Sequence, residues 1–111
     1  MSKLLSISPL TGRYRDKIQE LEEFTSEYAL IKTRIEVEIK YLIALSKAGV
    51  IRKISKEETS KLASIYEKFD LEGAEKIKEI EDTTKHDVKA VEIYLGEIFD
   101  RSTLKDLTEM I

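Results

Sequence analysis

Residues 26–47, SEYALIKTRIEVEIKYLIALSK, decide the fold class. Tyr28, Ile31, Ile35, Ile39, Leu42 and Leu45 recur at spacings of three and four, the repeat of one helical face, and Val37, Tyr41 and Ile43 widen that stripe. The pattern predicts a helix from near Thr25 or Ser26 to Lys47, stopped by Gly49. A helix apolar over so much of its circumference packs against more than one neighbour, which makes it the spine of a domain.

The same rhythm continues on both sides. One proline and four glycines leave few breakers in 111 residues, so the reading is an all-α domain of four to five helices. Ser8, Pro9, Thr11 and Gly12 form a turn-forming opening, and a short helix is expected from about Tyr14 to Leu21. Ser55 followed by Glu58 reads as a capping box that starts a helix reaching about Phe69. Ala74, Ile77 and Ile80 mark a further helix between Glu72 and Asp82, broken at Thr83-Thr84. Thr84 with Asp87 looks like the N-cap of the next, whose stripe is Val88, Val91, Leu95, Ile98 and Phe99. Ser102 or Thr103 can cap a last short helix through Met110. Phe24, Tyr28, Tyr41, Tyr66 and Phe69 fall at helical spacing and are expected in a core or an interface.

Composition narrows the function classes. With 41% hydrophobic residues the chain has apolar material for one small core, residues 1–111 forming a single domain. The net charge of −3, spread as interleaved signs, supplies no basic stripe for nucleic acid. Without cysteine and with one histidine, no structural metal site is expected. No apolar run approaches the ~20 residues that cross a bilayer, and the first residues lack the pattern of a signal peptide, so a soluble, cytoplasmic protein is the expectation.

Two constellations could carry chemistry. Thr83-Thr84-Lys85-His86-Asp87-Val88 places the histidine in the first turn of a helix, where unpaired amides and the macrodipole favour an anion. His86 lies opposite the apolar stripe of that helix, and Lys85 and Lys89 add positive charge. The bland alternative is that Thr84 merely caps, Asp87 complements the dipole and His86 is an exposed residue without a role. The second constellation, Ser8-Pro9-Leu10-Thr11-Gly12-Arg13-Tyr14, sets a guanidinium and a phenol just after a tight turn, as a phosphate clamp does, and equally as a plain loop with a surface arginine does.

Read together, ISPLTGRY at 7–14, FTSEYALIKTRIEVEIKYLIAL at 24–45 and IEDTTKHDVKAVEIYL at 80–95 resemble, in order and spacing, the opening of the bacterial-type adenylosuccinate lyases of the fumarase/aspartase superfamily. That resemblance covers nearly the whole chain and implies an amino-terminal helical domain that stops before the central helical bundle and the C-terminal domain. It implies a parent enzyme that cleaves a C–N bond by β-elimination, releasing fumarate from adenylosuccinate to give AMP and from the succinylated carboxamide ribotide (SAICAR) to give AICAR. No cofactor is implied.

By the same resemblance Arg13, Tyr14, Lys85, His86 and Asp87 bind the substrate, with His86 a possible auxiliary in proton transfer. Thr11 stands where the family pattern has aspartate, and Lys85 where it has asparagine. The acid histidine and the base serine of the family, the latter on a GSS-MP-K-NP loop, have no counterpart in this sequence. The isolated chain is therefore expected to be inactive, and the homotetramer of the superfamily is expected to form through domains it does not contain. A small helical interaction module without a catalytic role is the competing reading, but it gives no reason for GRY and TKHD to occur at this spacing.

Overall fold

The computed structural model describes residues 2–111. Among them every regular element is helical, as expected: α1 (Glu22–Thr25), α2 (Glu27–Lys47), α3 (Lys56–Glu67), α4 (Leu71–Thr84) and α5 (Asp87–Asp100), with 3-10 turns at Lys3–Leu5, Arg15–Lys17, Gln19–Leu21 and Lys105–Met110. The chain divides into two compact units, Met1–Leu30 and Ile31–Ile111.

In the first unit the segment expected as one helix from Tyr14 to Leu21 is instead two 3-10 turns, interrupted at Ile18 (φ −116°, ψ 10°). Neither turn has a side-chain cap, and so short a piece of α-helix has too few internal bonds to offset the cost of its nucleus. Ser26 is extended, and its hydroxyl accepts from the Ala29 amide at 3.1 Å, so the start of α2 falls where the sequence places it.

The second unit holds the core. Ile35, Ile39 and Leu42 of α2, Leu62 of α3, Ile77 of α4, and Val91, Leu95 and Phe99 of α5 are essentially inaccessible, and Leu104 and Leu107 close the same interior from the C-terminal turns. Helix α4 packs along α5, with Phe69 and Tyr94 meeting edge to face at 6.0 Å between centroids. The width of the α2 stripe is smaller than its sequence implies, because Val37 and Tyr41 are exposed and the buried positions are Ala29, Ile31, Ile35, Ile39 and Leu42. Phe24 is exposed as well.

The helix ends are explicit in local chemistry. Gly49 has φ +79°, its amide donates to the Ser46 carbonyl at 3.2 Å and the Val50 amide donates to Leu45 at 3.0 Å, the paired bonds of a Schellman stop. The capping box at α3 is complete: the Glu58 amide donates to Ser55 Oγ and the Ser55 amide to Glu58 Oε1, each at 3.1 Å. Asp70 caps α4 by accepting from the Gly73 amide at 3.0 Å. The last helix is a 3-10 turn preceded by Leu104, with Ser102 Oγ accepting from the Leu104 amide rather than capping the turn.

Glu58 also does more than cap. Arg52 donates to both its carboxylate oxygens, at 3.0 and 2.9 Å, and to both oxygens of Asp106, at 2.6 and 3.0 Å. Thr103 Oγ1 donates to Glu58 Oε2 at 2.9 Å. The Arg52 hydrogen bond, with the Ser55 amide second, holds the Glu58 carboxyl down to about 2. One guanidinium thus ties the α2–α3 loop, the start of α3 and the C-terminal turn together.

Candidate functional site

The chain from Thr84 to Lys89 makes a sharp corner between α4 and α5. Helix α4 runs through Thr84 and ends in Lys85, which is left-handed (φ 57°, ψ 24°). His86 then turns extended (φ −143°, ψ 115°) and is itself the N-cap of α5. This corrects the cap expected at Thr84. The threonine is the last residue of the preceding helix, and its hydroxyl clasps His86 instead, accepting from the His86 amide at 3.3 Å and donating to the His86 carbonyl at 3.1 Å.

The imidazole does the capping. Its Nδ1 accepts from the Lys89 amide at 3.2 Å, so the neutral ring carries its proton on Nε2. Asp87, the first residue of the helix, accepts from the Val88 amide through Oδ1 at 2.8 Å. The amides of Val88 and Lys89, expected to be free for a bound anion, are therefore occupied by the chain's own side chains. What this corner presents outward is the Nε2 edge of His86 and the ammonium groups of Lys85 and Lys89, the latter 3.5 Å from Glu92. Lys85, His86, Asp87, Val88 and Lys89 are all exposed.

Val88 does not belong to the buried stripe of α5. The face turned inward is Ala90, Val91, Leu95, Gly96 and Phe99, with Ile98 half-buried. His86 stays clear of that interior, as the sequence predicts.

Sequence reasoning missed Arg34. Its guanidinium reaches from α2 to Asp87 Oδ2 at 2.8 Å, so both oxygens of Asp87 are engaged, one by its own helix and one by another. The Arg34 bond, followed by the Val88 amide, holds the Asp87 carboxyl below its ordinary value. Nothing local in the sequence marks this pair, since Arg34 and Asp87 lie far apart along the chain.

Arg13 and Tyr14 belong to the first unit. A reverse turn built on Ser8 presents them: the Thr11 and Gly12 amides donate to the Ser8 carbonyl, and the Tyr14 amide donates to Pro9 at 2.8 Å. Thr11 Oγ1 closes the turn by donating to the Ser8 carbonyl at 3.0 Å. Gly12 is buried, and a Cβ there would lie 2.5 Å from the Lys3 carbonyl oxygen, so the turn requires glycine for space. The Arg13 guanidinium sits 5.2 Å from the centroid of the Tyr14 ring. Both side chains are exposed. The five residues singled out from the sequence thus fall into two clusters, Arg13 with Tyr14 and Lys85 with His86 and Asp87.

Among the described residues no group of histidine, cysteine, aspartate and glutamate side chains is arranged to hold a metal, and no helix is long and apolar enough to cross a membrane.

No protein-family model matches the chain. Individual proteins do. It is 46% identical over 101 residues to an adenylosuccinate lyase of Dictyostelium discoideum, 41% over 100 residues to that of Escherichia coli strain K12, and 38% over 105 residues to that of Legionella pneumophila strain Corby. These matches take in 87%, 87% and 92% of this chain. They take in only 22%, 22% and 23% of the relatives, so the chain spans about a fifth of the length of the curated proteins it matches.

Proposed function

We propose that the chain is the amino-terminal helical domain of an adenylosuccinate lyase, acting in purine biosynthesis as part of a longer, cytoplasmic, homotetrameric enzyme. The observation that carries this reading is the 41 to 46% identity to such lyases over nearly nine-tenths of the chain. The corner at His86 is compatible with it, since the Nδ1 cap leaves the second ring nitrogen of an exposed residue available to a ligand.

The proposed reaction is a β-elimination. A base takes the proton from the carbon next to a carboxylate, the C–N bond breaks, and an acid protonates the departing nitrogen, giving fumarate with AMP or with AICAR. An anion develops next to the carboxylate during this step and needs positive or hydrogen-bonding groups placed in advance. Arg13, paired with Tyr14, and Lys85 can meet anionic groups of adenylosuccinate or SAICAR. His86 can donate from Nε2 in its neutral form. Asp87 stands next to His86 with its carboxylate already engaged. No step here calls for a metal or an organic cofactor.

The chain itself supplies binding groups without the acid and base. Purified, it should release no fumarate from adenylosuccinate, whereas a longer reading frame containing it should. Turnover by the 111-residue chain that disappears in His86→Ala would relocate the catalytic centre into this domain. A longer frame lacking a second histidine-bearing segment and a GSS-type loop would remove the lyase reading altogether.

A further inference from the structure

The corner that carries His86 has little packing to hold it. Residues 85–89 are all exposed, and the first residue of α5 buried in the core is Ala90. Terminal turns fray first because their amides lack helical partners, so the direction in which the imidazole points depends on discrete polar ties. Four are present. The Thr84 hydroxyl clasps the His86 backbone, His86 Nδ1 accepts from Lys89, Asp87 Oδ1 accepts from Val88, and Arg34 grips Asp87. The first three are made by residues of the corner itself and move with it. The fourth comes from α2, whose buried line anchors it in the core.

We propose that Arg34 is a positioning residue for His86: by holding Asp87 against α2 it fixes the first turn of α5, and with it the Nδ1 cap and the outward aim of Nε2. This rests on the lyase reading only for what the imidazole is aimed at. Arg34 is suited to the task because its side chain is 29% exposed against 51% for Asp87, so the more shielded partner is the anchor. The closest approach is from Nη1, 2.8 Å from Asp87 Oδ2, and an ammonium can meet the same carboxylate as a point charge.

The chain's single histidine makes the test unambiguous. Long-range nitrogen–proton NMR of the imidazole reports which ring nitrogen is protonated, and the amide spectrum reports the Lys89 bond. In the unaltered chain the neutral ring should be predominantly one tautomer, with the proton on Nε2. Arg34→Gln and Asp87→Asn should each give a mixed tautomer and return the Lys89 amide toward an unbonded position, while amides of Ile77 and Leu95 stay in place. Arg34→Lys should recover most of the original pattern.

An unchanged imidazole in folded Arg34→Gln or Asp87→Asn overturns the proposal. So does Arg34→Lys behaving like Arg34→Gln. If both neutral variants unfold the chain, the pair is an element of folding and the positioning role is wrong. None of these readouts involves substrate, so the lyase reading can fail while this one stands, and the reverse.

Discussion

The unit Met1–Leu30 and the unit Ile31–Ile111 are built from similar kinds of residue and end up differently. In the first, Leu4, Leu5, Ile7, Leu10, Leu21 and Phe24 are all exposed, and as far as Leu21 the described backbone is made of short hydrogen-bonded turns. In the second, four α-helices and a closing turn bury a continuous apolar interior. The difference teaches that apolar content alone does not make a core. Periodicity matched to helix length does, because it puts the apolar groups on one side of a segment long enough to be helical. The first unit instead invests in backbone bonds that present Arg13 and Tyr14.

The sharpest way to break the comparison is to remove one phenyl ring from each unit. Phe99 is fully buried at the end of α5, whereas Phe24 is 77% exposed. Phe99→Ala should cost about 3–5 kcal/mol through lost transfer energy and the cavity left behind, and Phe24→Ala should stay within about 0.5 kcal/mol. Thermal or urea melts of the 111-residue chain decide it. Equal losses would mean that the first unit has an apolar interior of its own.

A smaller effect is expected from the polar clasp of the second unit. Glu58 is held down to about 2 in the folded chain against an ordinary value of 4.5, chiefly by the Arg52 hydrogen bond. A depressed carboxyl stabilises the fold above the unfolded value and loses that contribution as pH falls toward the folded one. Stability should therefore decline between about pH 5 and about pH 2, and Glu58→Gln should flatten that slope. Near neutral pH the same variant should cost about 2–3 kcal/mol, because Arg52 loses one of its two charged partners and the α3 cap is weakened. A pH series of melts in which Glu58→Gln keeps the full acid slope would show that another group is responsible.

Much of this was legible in the sequence wherever the signal is local. The Ser55 and Glu58 cap, the Gly49 stop and the span of α2 each depend on residues within a turn or two of one another. The start of α5 was misread by two residues because threonine is a common cap and histidine is not, so the pattern favoured Thr84 over His86. Val91, Leu95 and Phe99 of the expected stripe are buried, whereas Val88 is exposed in the first turn and Ala90 and Gly96 take the remaining inward positions. The Arg34 to Asp87 pair and the Arg52 cluster join segments remote in sequence, and nothing in spacing or periodicity announces them. At the His86 corner the hydrogen-bond partners of the named residues were not readable from spacing.

The left-handed residue between α4 and α5 gives a further, weaker probe. Lysine pays a steric cost at φ 57°, and asparagine tolerates that region better because its short polar side chain bonds locally. Lys85→Asn should raise stability by about 0.5 kcal/mol, and Lys85→Gly by about as much or slightly more. A loss in both variants would mean that the ammonium contributes to the fold more than its exposed position implies.

The finest test separates the two jobs of His86, which caps α5 through Nδ1 and presents Nε2 outward. Removing the ring entirely confuses them, since His86→Ala should cost about 1 kcal/mol as a lost cap whatever the ring does for a substrate. His86→Asn keeps a side-chain acceptor at a position where asparagine is among the best caps, so stability should change by no more than about 0.5 kcal/mol. The amide is shorter than imidazole and cannot place a donor where Nε2 stands. In a longer lyase that carries this domain, His86→Asn should therefore melt like the parent while its kcat/KM for adenylosuccinate falls by about 10-fold or more. Arg13→Ala should show the same split, because among the described residues its guanidinium is paired with no carboxylate and rests on the Tyr14 ring. A His86→Asn enzyme with full activity would reduce His86 to a cap, and the corner between α4 and α5 would then owe its form to helix termination alone.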